Sequence, residues 1–94
     1  MRDIEKLTAV FKALSDPTRL RLVGLMGEHR GALCVNALAG SLEISQSAVS
    51  QHLRVLKQAG LVRGERRGYY VHYTLDEKAM EKYRGIILGL LGED

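Results

Sequence analysis

Ninety-four residues make one small domain, and with 46% hydrophobic and 27% charged residues the chain is neither disordered nor built to live in a bilayer. A single Phe and no Trp leave the core to Leu, Ile, Val, Ala and Met, and so short a chain gains from burying further area against a second copy of itself. The net charge of +3 is concentrated: residues 44–73 hold Arg54, Lys57, Arg63, Arg66 and Arg67 against Glu65 alone, a net +4 that leaves −1 for the rest and points to an anionic partner.

The first predicted helix runs from Asp3 to Leu14, with Ile4, Leu7, Val10 or Phe11, and Leu14 on one face. The second starts from Ser15-Asp16-Pro17-Thr18. Asp16 is placed to cap free N–H groups, and Pro17 at the first helical position gives up only an N–H that would have no partner there. Its apolar residues are Leu20, Val23 or Gly24, and Met26 or Gly27, and His29-Arg30-Gly31 ends it after about Glu28. A short third helix, Val35 to Leu42, sets Val35, Leu38, Ala39 and Leu42 inward. After Glu43-Ile44-Ser45 a fourth runs from Gln46 to Ala59, with Ser45 as its cap and Gly60 as a left-handed stop.

Beyond Gly60 the period changes from helical to alternating. Leu61-Val62-Arg63 reads as a short strand, Gly64-Glu65-Arg66-Arg67-Gly68 as a doubly basic hairpin loop, and Tyr69 to Leu75 as the returning strand. Asp76 then caps a last helix whose Ala79, Met80, Tyr83, Ile87, Leu90 and Leu91 form an apolar stripe. Two helices across a three-residue connection followed by a basic hairpin define a mainly α winged helix-turn-helix in the order α-α-α-α-β-β-α, one domain over residues 1–94. The charged N-terminus has no apolar stretch behind it, and Ile86-Ile87-Leu88-Gly89-Leu90-Leu91 is too short for a span, so a cytoplasmic protein without a membrane partner is expected.

An α-helix fits the major groove of B-DNA and reads base edges from its N-terminal half. With Val49, Leu53 and Leu56 turned inward, the fourth helix leaves Gln46, Ser47, Ser50, Gln51 and Arg54 on its open side. Gln pairs with adenine, Arg with guanine and Ser with several edges, whereas an ordinary solvated helix face is richer in Glu and Lys. No acidic residue falls between Glu43 and Glu65 to repel phosphates. Arg66 and Arg67 at the hairpin tip complete the candidate interface, along phosphates or in the adjacent minor groove. The expected partner is double-stranded DNA.

Leu14-Ser15-Asp16-Pro17-Thr18-Arg19-Leu20-Arg21-Leu22, then Val49-Ser50-Gln51-His52-Leu53-Arg54-Val55-Leu56-Lys57-Gln58-Ala59-Gly60-Leu61-Val62, resemble the ArsR/SmtB (arsenic-repressor-type) transcription regulators. Arg66-Arg67-Gly68-Tyr69-Tyr70-Val71-His72-Tyr73-Thr74-Leu75 resembles that family's wing, so the resemblance covers the chain in order. It implies a homodimer with the helices at 3–14 and 76–91 packed across a two-fold axis. It also implies a palindromic operator near the regulator's own promoter and repression released by an inducer. By the same resemblance His52 is a packed residue, and His29 and His72 are surface or strand histidines.

Metal-sensing relatives begin one site with Cys-x-Cys at the third helix. Here Cys34 is followed by Asn36, and one thiolate per subunit cannot satisfy a soft ion that wants about three sulfurs. A second family site uses Asp and His on the last helix, which has Asp76, Glu77, Glu81 and Glu93 but no His. No complete metal site and no cofactor are expected, and the effector is not named by the sequence. Alternatives are a repressor that responds to oxidation of Cys34, and a winged-helix interaction module that never touches DNA. Catalysis would fall to Cys34 with His29, a pair without a third orienting group, so no enzyme is expected.

Overall fold

In a computed structural model, which describes residues 2–29 and 31–93, the chain forms α1 (Arg2–Leu14), α2 (Pro17–Glu28), β1 (Leu33–Cys34), α3 (Val35–Leu42), α4 (Gln46–Gln58), β2 (Val62–Arg67), β3 (Tyr70–Leu75) and α5 (Glu77–Leu90). Arg30, inside the expected His29–Gly31 stop, lies outside the described residues, as do Met1 and Asp94. None of the described helices is long and apolar enough to cross a membrane.

Three expected caps are formed. Asp16 Oδ2 accepts from the Arg19 N–H at 3.0 Å with Pro17 in the first turn, Ser45 Oγ from Ala48 at 3.0 Å, and Asp76 Oδ1 from Ala79 at 3.0 Å. Gly60 adopts φ +77° just past α4, the left-handed conformation that costs an L residue about 1–2 kcal/mol. The turn between α3 and α4 uses the same device without a glycine. Glu43 sits at φ 56°, which lets the Glu43 and Ile44 N–H groups both close on the Ala39 carbonyl. Glu43→Gly is therefore expected to raise stability by about 0.5–1 kcal/mol, since relief of the left-handed penalty exceeds the added chain entropy. Thermal unfolding should show a midpoint higher by a few degrees; an unchanged midpoint would mean that the Glu43 side chain compensates.

The apolar stripes converge on one core. Val10 and Ala13 of α1, Leu22 and Met26 of α2, Leu38 and Ala39 of α3, and Val49, Leu53 and Leu56 of α4 close on Leu61 and Val62. Six of these side chains are under 2% exposed, each contributing about 1.5–3 kcal/mol by burial. On α1 the structure chooses Val10 and leaves Phe11 52% exposed. On α2 the buried residues are Leu22 and Met26, while Leu20, the first residue of the expected apolar pattern, is exposed. With Leu20, Leu22, Val23, Leu25 and Met26 spread round the helix, spacing does not single out a face. No described residue of α5 is fully buried; Met80 and Tyr83 lean on the core from outside.

The sheet corrects the sequence reading twice. Leu33–Cys34 form a third strand, pairing antiparallel with Tyr73 and His72, so the order is β1-β3-β2. Residues 64–67 are also strand, not loop: Gly64 pairs with Tyr73, Glu65 with His72, Arg66 with Val71 and Arg67 with Tyr70. Only Gly68-Tyr69 turn, with positive φ at Gly68 alone (+66°), the pattern of a type II′ hairpin. Gly64 resembled a loop boundary because it lacks a side chain, yet the strand requires that absence. A Cβ there would lie 3.0 Å from Tyr73 Cε1 and 3.3 Å from Val71 Cγ1, so the tyrosine ring covers the glycine. The resulting architecture is a winged helix-turn-helix.

Candidate nucleic-acid interface

The open side of α4 is set by what its other side buries. Val49, Leu53 and Leu56 are at most 1% exposed, and this fixes the helix's roll so that Gln46, Ser47, Ser50, Gln51 and Arg54 are all exposed. Among the described residues none of these five spends its side chain on an internal hydrogen bond or ion pair. Ser45 satisfies Ala48, while the N–H groups of Gln46 and Ser47 have no acceptor among the described residues. With no acidic residue in the first turn, that end of α4 favours an anion. The row offers uncommitted donors and acceptors beside a partial positive charge.

The hairpin carries the second group of cations, in a different arrangement from the expected tip. Arg66 and Arg67 are both exposed, but as consecutive strand residues they project to opposite faces of the ribbon. Arg66 shares a face with Val71, and Arg67 with Tyr70, where its Nε stands 3.7 Å from Glu65 Oε1. That exposed pair is weak, so Arg67 remains available to another anion. At the apex stands Tyr69, 95% exposed, which charge-based reading passed over.

Behind α4 lies a polar contact that no sequence pattern announced. His52 Nδ1 is 3.4 Å from Arg19 Nη1 and 3.9 Å from Asp16 Oδ2, both at the start of α2. The Arg19 backbone N–H, aided by the Arg19 guanidinium, holds the Asp16 carboxyl below its ordinary value. His52 is thus half-buried, in keeping with a packed histidine, and packed against charge. His29 is exposed at the end of α2, and His72 is a strand residue whose buried Nδ1 has no hydrogen-bond partner among the described residues. Cys34 is half-buried, paired in register with His72, and gives no side-chain cap to α3. Among the described residues no three His, Cys, Asp or Glu side chains gather to hold a metal ion.

Comparison with known proteins places this geometry. Residues 16–63, from the α2 cap into β2, match the family model of bacterial regulatory proteins of the arsR family. An uncharacterized HTH-type transcriptional regulator of Methanocaldococcus jannaschii is 37% identical over 82 residues, covering 86% of this chain and 91% of the relative. An ArsR-like transcriptional regulator from Rhodococcus sp. RHA1 superposes with a TM-score of 0.82 at 28% identity, covering 98% of this chain and 84% of the other. A homodimeric winged helix-turn-helix DNA-binding domain from Mycobacterium bovis gives 0.75 at 25% identity, over 93% and 80%. The chain belongs to the arsR family of bacterial regulatory proteins and is a DNA-binding transcription regulator, not an enzyme.

Proposed function

We propose that the protein is a homodimeric repressor that sets α4 into successive major grooves of a palindromic operator while the β2–β3 hairpin follows the flanking backbone. The observation that carries this reading is the exposed, internally uncommitted row Gln46, Ser47, Ser50, Gln51 and Arg54, followed in the chain by the exposed cations of the hairpin. The homodimeric Mycobacterium bovis neighbour supports the assembly, as do the exposed Ile4 and Phe11 on α1 and Leu90 on α5. On this reading α1 and α5 meet their counterparts across the two-fold axis, and the protein works in the cytoplasm, where its DNA is. Cys34 without a second thiolate at Asn36 favours an effector other than a thiolate-bound metal.

Titration of duplex DNA at several salt concentrations tests the reading, because neutralising phosphates makes affinity fall linearly with the logarithm of salt. A salt-independent interaction would exclude it. Within that experiment, Arg66→Ala with Arg67→Ala is expected to weaken binding to every sequence alike and to reduce the salt slope by about 2, one per lost phosphate contact. Because the two side chains face opposite sides of the ribbon, the single variants separate them. A slope unchanged in both removes the hairpin from the interface.

A further inference from the structure

Arg19 touches three helices. Its Nε donates to the Ala13 carbonyl in the last turn of α1, its backbone N–H donates to the Asp16 cap of α2, and its Nη1 donates to His52 Nδ1 in the middle of α4. Asp16 Oδ2 closes the group, 3.9 Å from the same His52 nitrogen. A guanidinium has donors only, so His52 accepts at Nδ1 and the neutral ring keeps its proton on Nε2. The Arg19–His52 contact is the one side chain–side chain hydrogen bond among the described residues, in a body otherwise held by apolar packing. Apolar packing is non-directional, whereas a hydrogen bond weakens steeply with angle. Leu53 seats α4 in the core; the bond at the neighbouring His52 fixes how far the helix rolls about that seat. Gln51, the next residue on the other side, moves with it.

We propose that Arg19 is a positioning residue of the DNA interface: by bridging Ala13 and His52 it sets the roll of α4 and ties it to the end of α1. The proposal rests on the reading of α4 as the helix that enters the groove. Because α1 is read as part of the subunit interface, the same side chain carries a displacement there to Gln51 and Arg54. Both of its side-chain bonds are to this chain, and the salt slope is what separates this role from a phosphate contact.

The test uses the full-length protein, a duplex selected from random DNA by the wild type, and an unrelated duplex of equal length. Arg19→Gln and His52→Leu are each expected to lower affinity for the selected duplex about tenfold while leaving the unrelated duplex and the salt slope unchanged. The double variant should lose no more than the worse single one. His52→Gln, which keeps an acceptor oxygen, should recover most of the loss. Where Arg19→Gln does not fold, Arg19→Lys serves: it keeps the charge, but one ammonium cannot replace a fork reaching two acceptors. Losses that add, equal loss on both duplexes, or a slope reduced by about one on neutralising Arg19 would each overturn the positioning role. Absence of salt-dependent binding by the wild type would instead overturn the DNA reading of α4 itself.

Discussion

Phe11→Asp together with Leu90→Asp is expected to give a monomer and to cost about 10²–10⁴ in operator affinity. Both side chains are more than half exposed in the isolated chain, at 52% and 59%, on the two helices read as the subunit interface. Along α5 lies a mostly apolar groove of about 310 Å³, lined by Leu14, Val23, Leu61, Met80, Tyr83, Ile87 and Leu88 together with Arg84. A two-fold axis doubles every contact, so each lost apolar side chain counts twice and each new carboxylate is buried twice without a partner. Two half-operators are then bound separately and no longer through one rigid body. Sedimentation and anisotropy titration at matched concentrations read the two effects together. A double variant that remains dimeric would place the interface elsewhere, and a monomer that keeps wild-type affinity would separate operator binding from assembly.

Ser50→Ala with Gln51→Ala is expected to act on selectivity. Each well-formed side chain–base pair discriminates by about 1–3 kcal/mol, so preference at one or two base positions should relax by roughly tenfold to a hundredfold. No charge is removed, and the salt slope should stay where it was. Operator selection repeated with the variant reads this directly, as flattened preference at the positions concerned. Undiminished preference would mean that another element lies in the groove.

How far these sites were legible depends on whether their determinants are local. For α4 they are: Ser45 caps, Val49, Leu53 and Leu56 repeat at three and four residues, and Gly60 stops, so the open row followed without coordinates. The hairpin's extent was not legible, because Gly64 and Gly68 look alike in sequence. One turns the chain with a positive φ, and the other makes room for Tyr73, a residue nine positions away. Strand β1 is two residues long and exists only by pairing with Tyr73 and His72, so no periodicity could announce it. The Asp16–Arg19–His52 group joins residues more than thirty positions apart, and its histidine lies among residues that also suit an ordinary helix surface. What α5 packs against was implied only by its apolar stripe, and in the single chain none of that stripe is fully buried while Leu90 and Leu91 stay exposed.

With β3 in the middle of the sheet, the outer edge of β2 is left as an open ladder of backbone donors and acceptors. Such a ladder invites a strand from another copy, and fibrous association follows wherever nothing discourages it. Arg63, Glu65, Arg66 and Arg67 occupy that edge, with a glycine among them, and charged side chains discourage a second strand from pairing there. The cations that suit a phosphate backbone therefore also keep the empty ribbon from zipping to its neighbours. On the proposed reading, selection acting on this hairpin weighs nucleic-acid grip and colloidal safety in the same side chains, and a variant that trims the charge to loosen one surrenders part of the other.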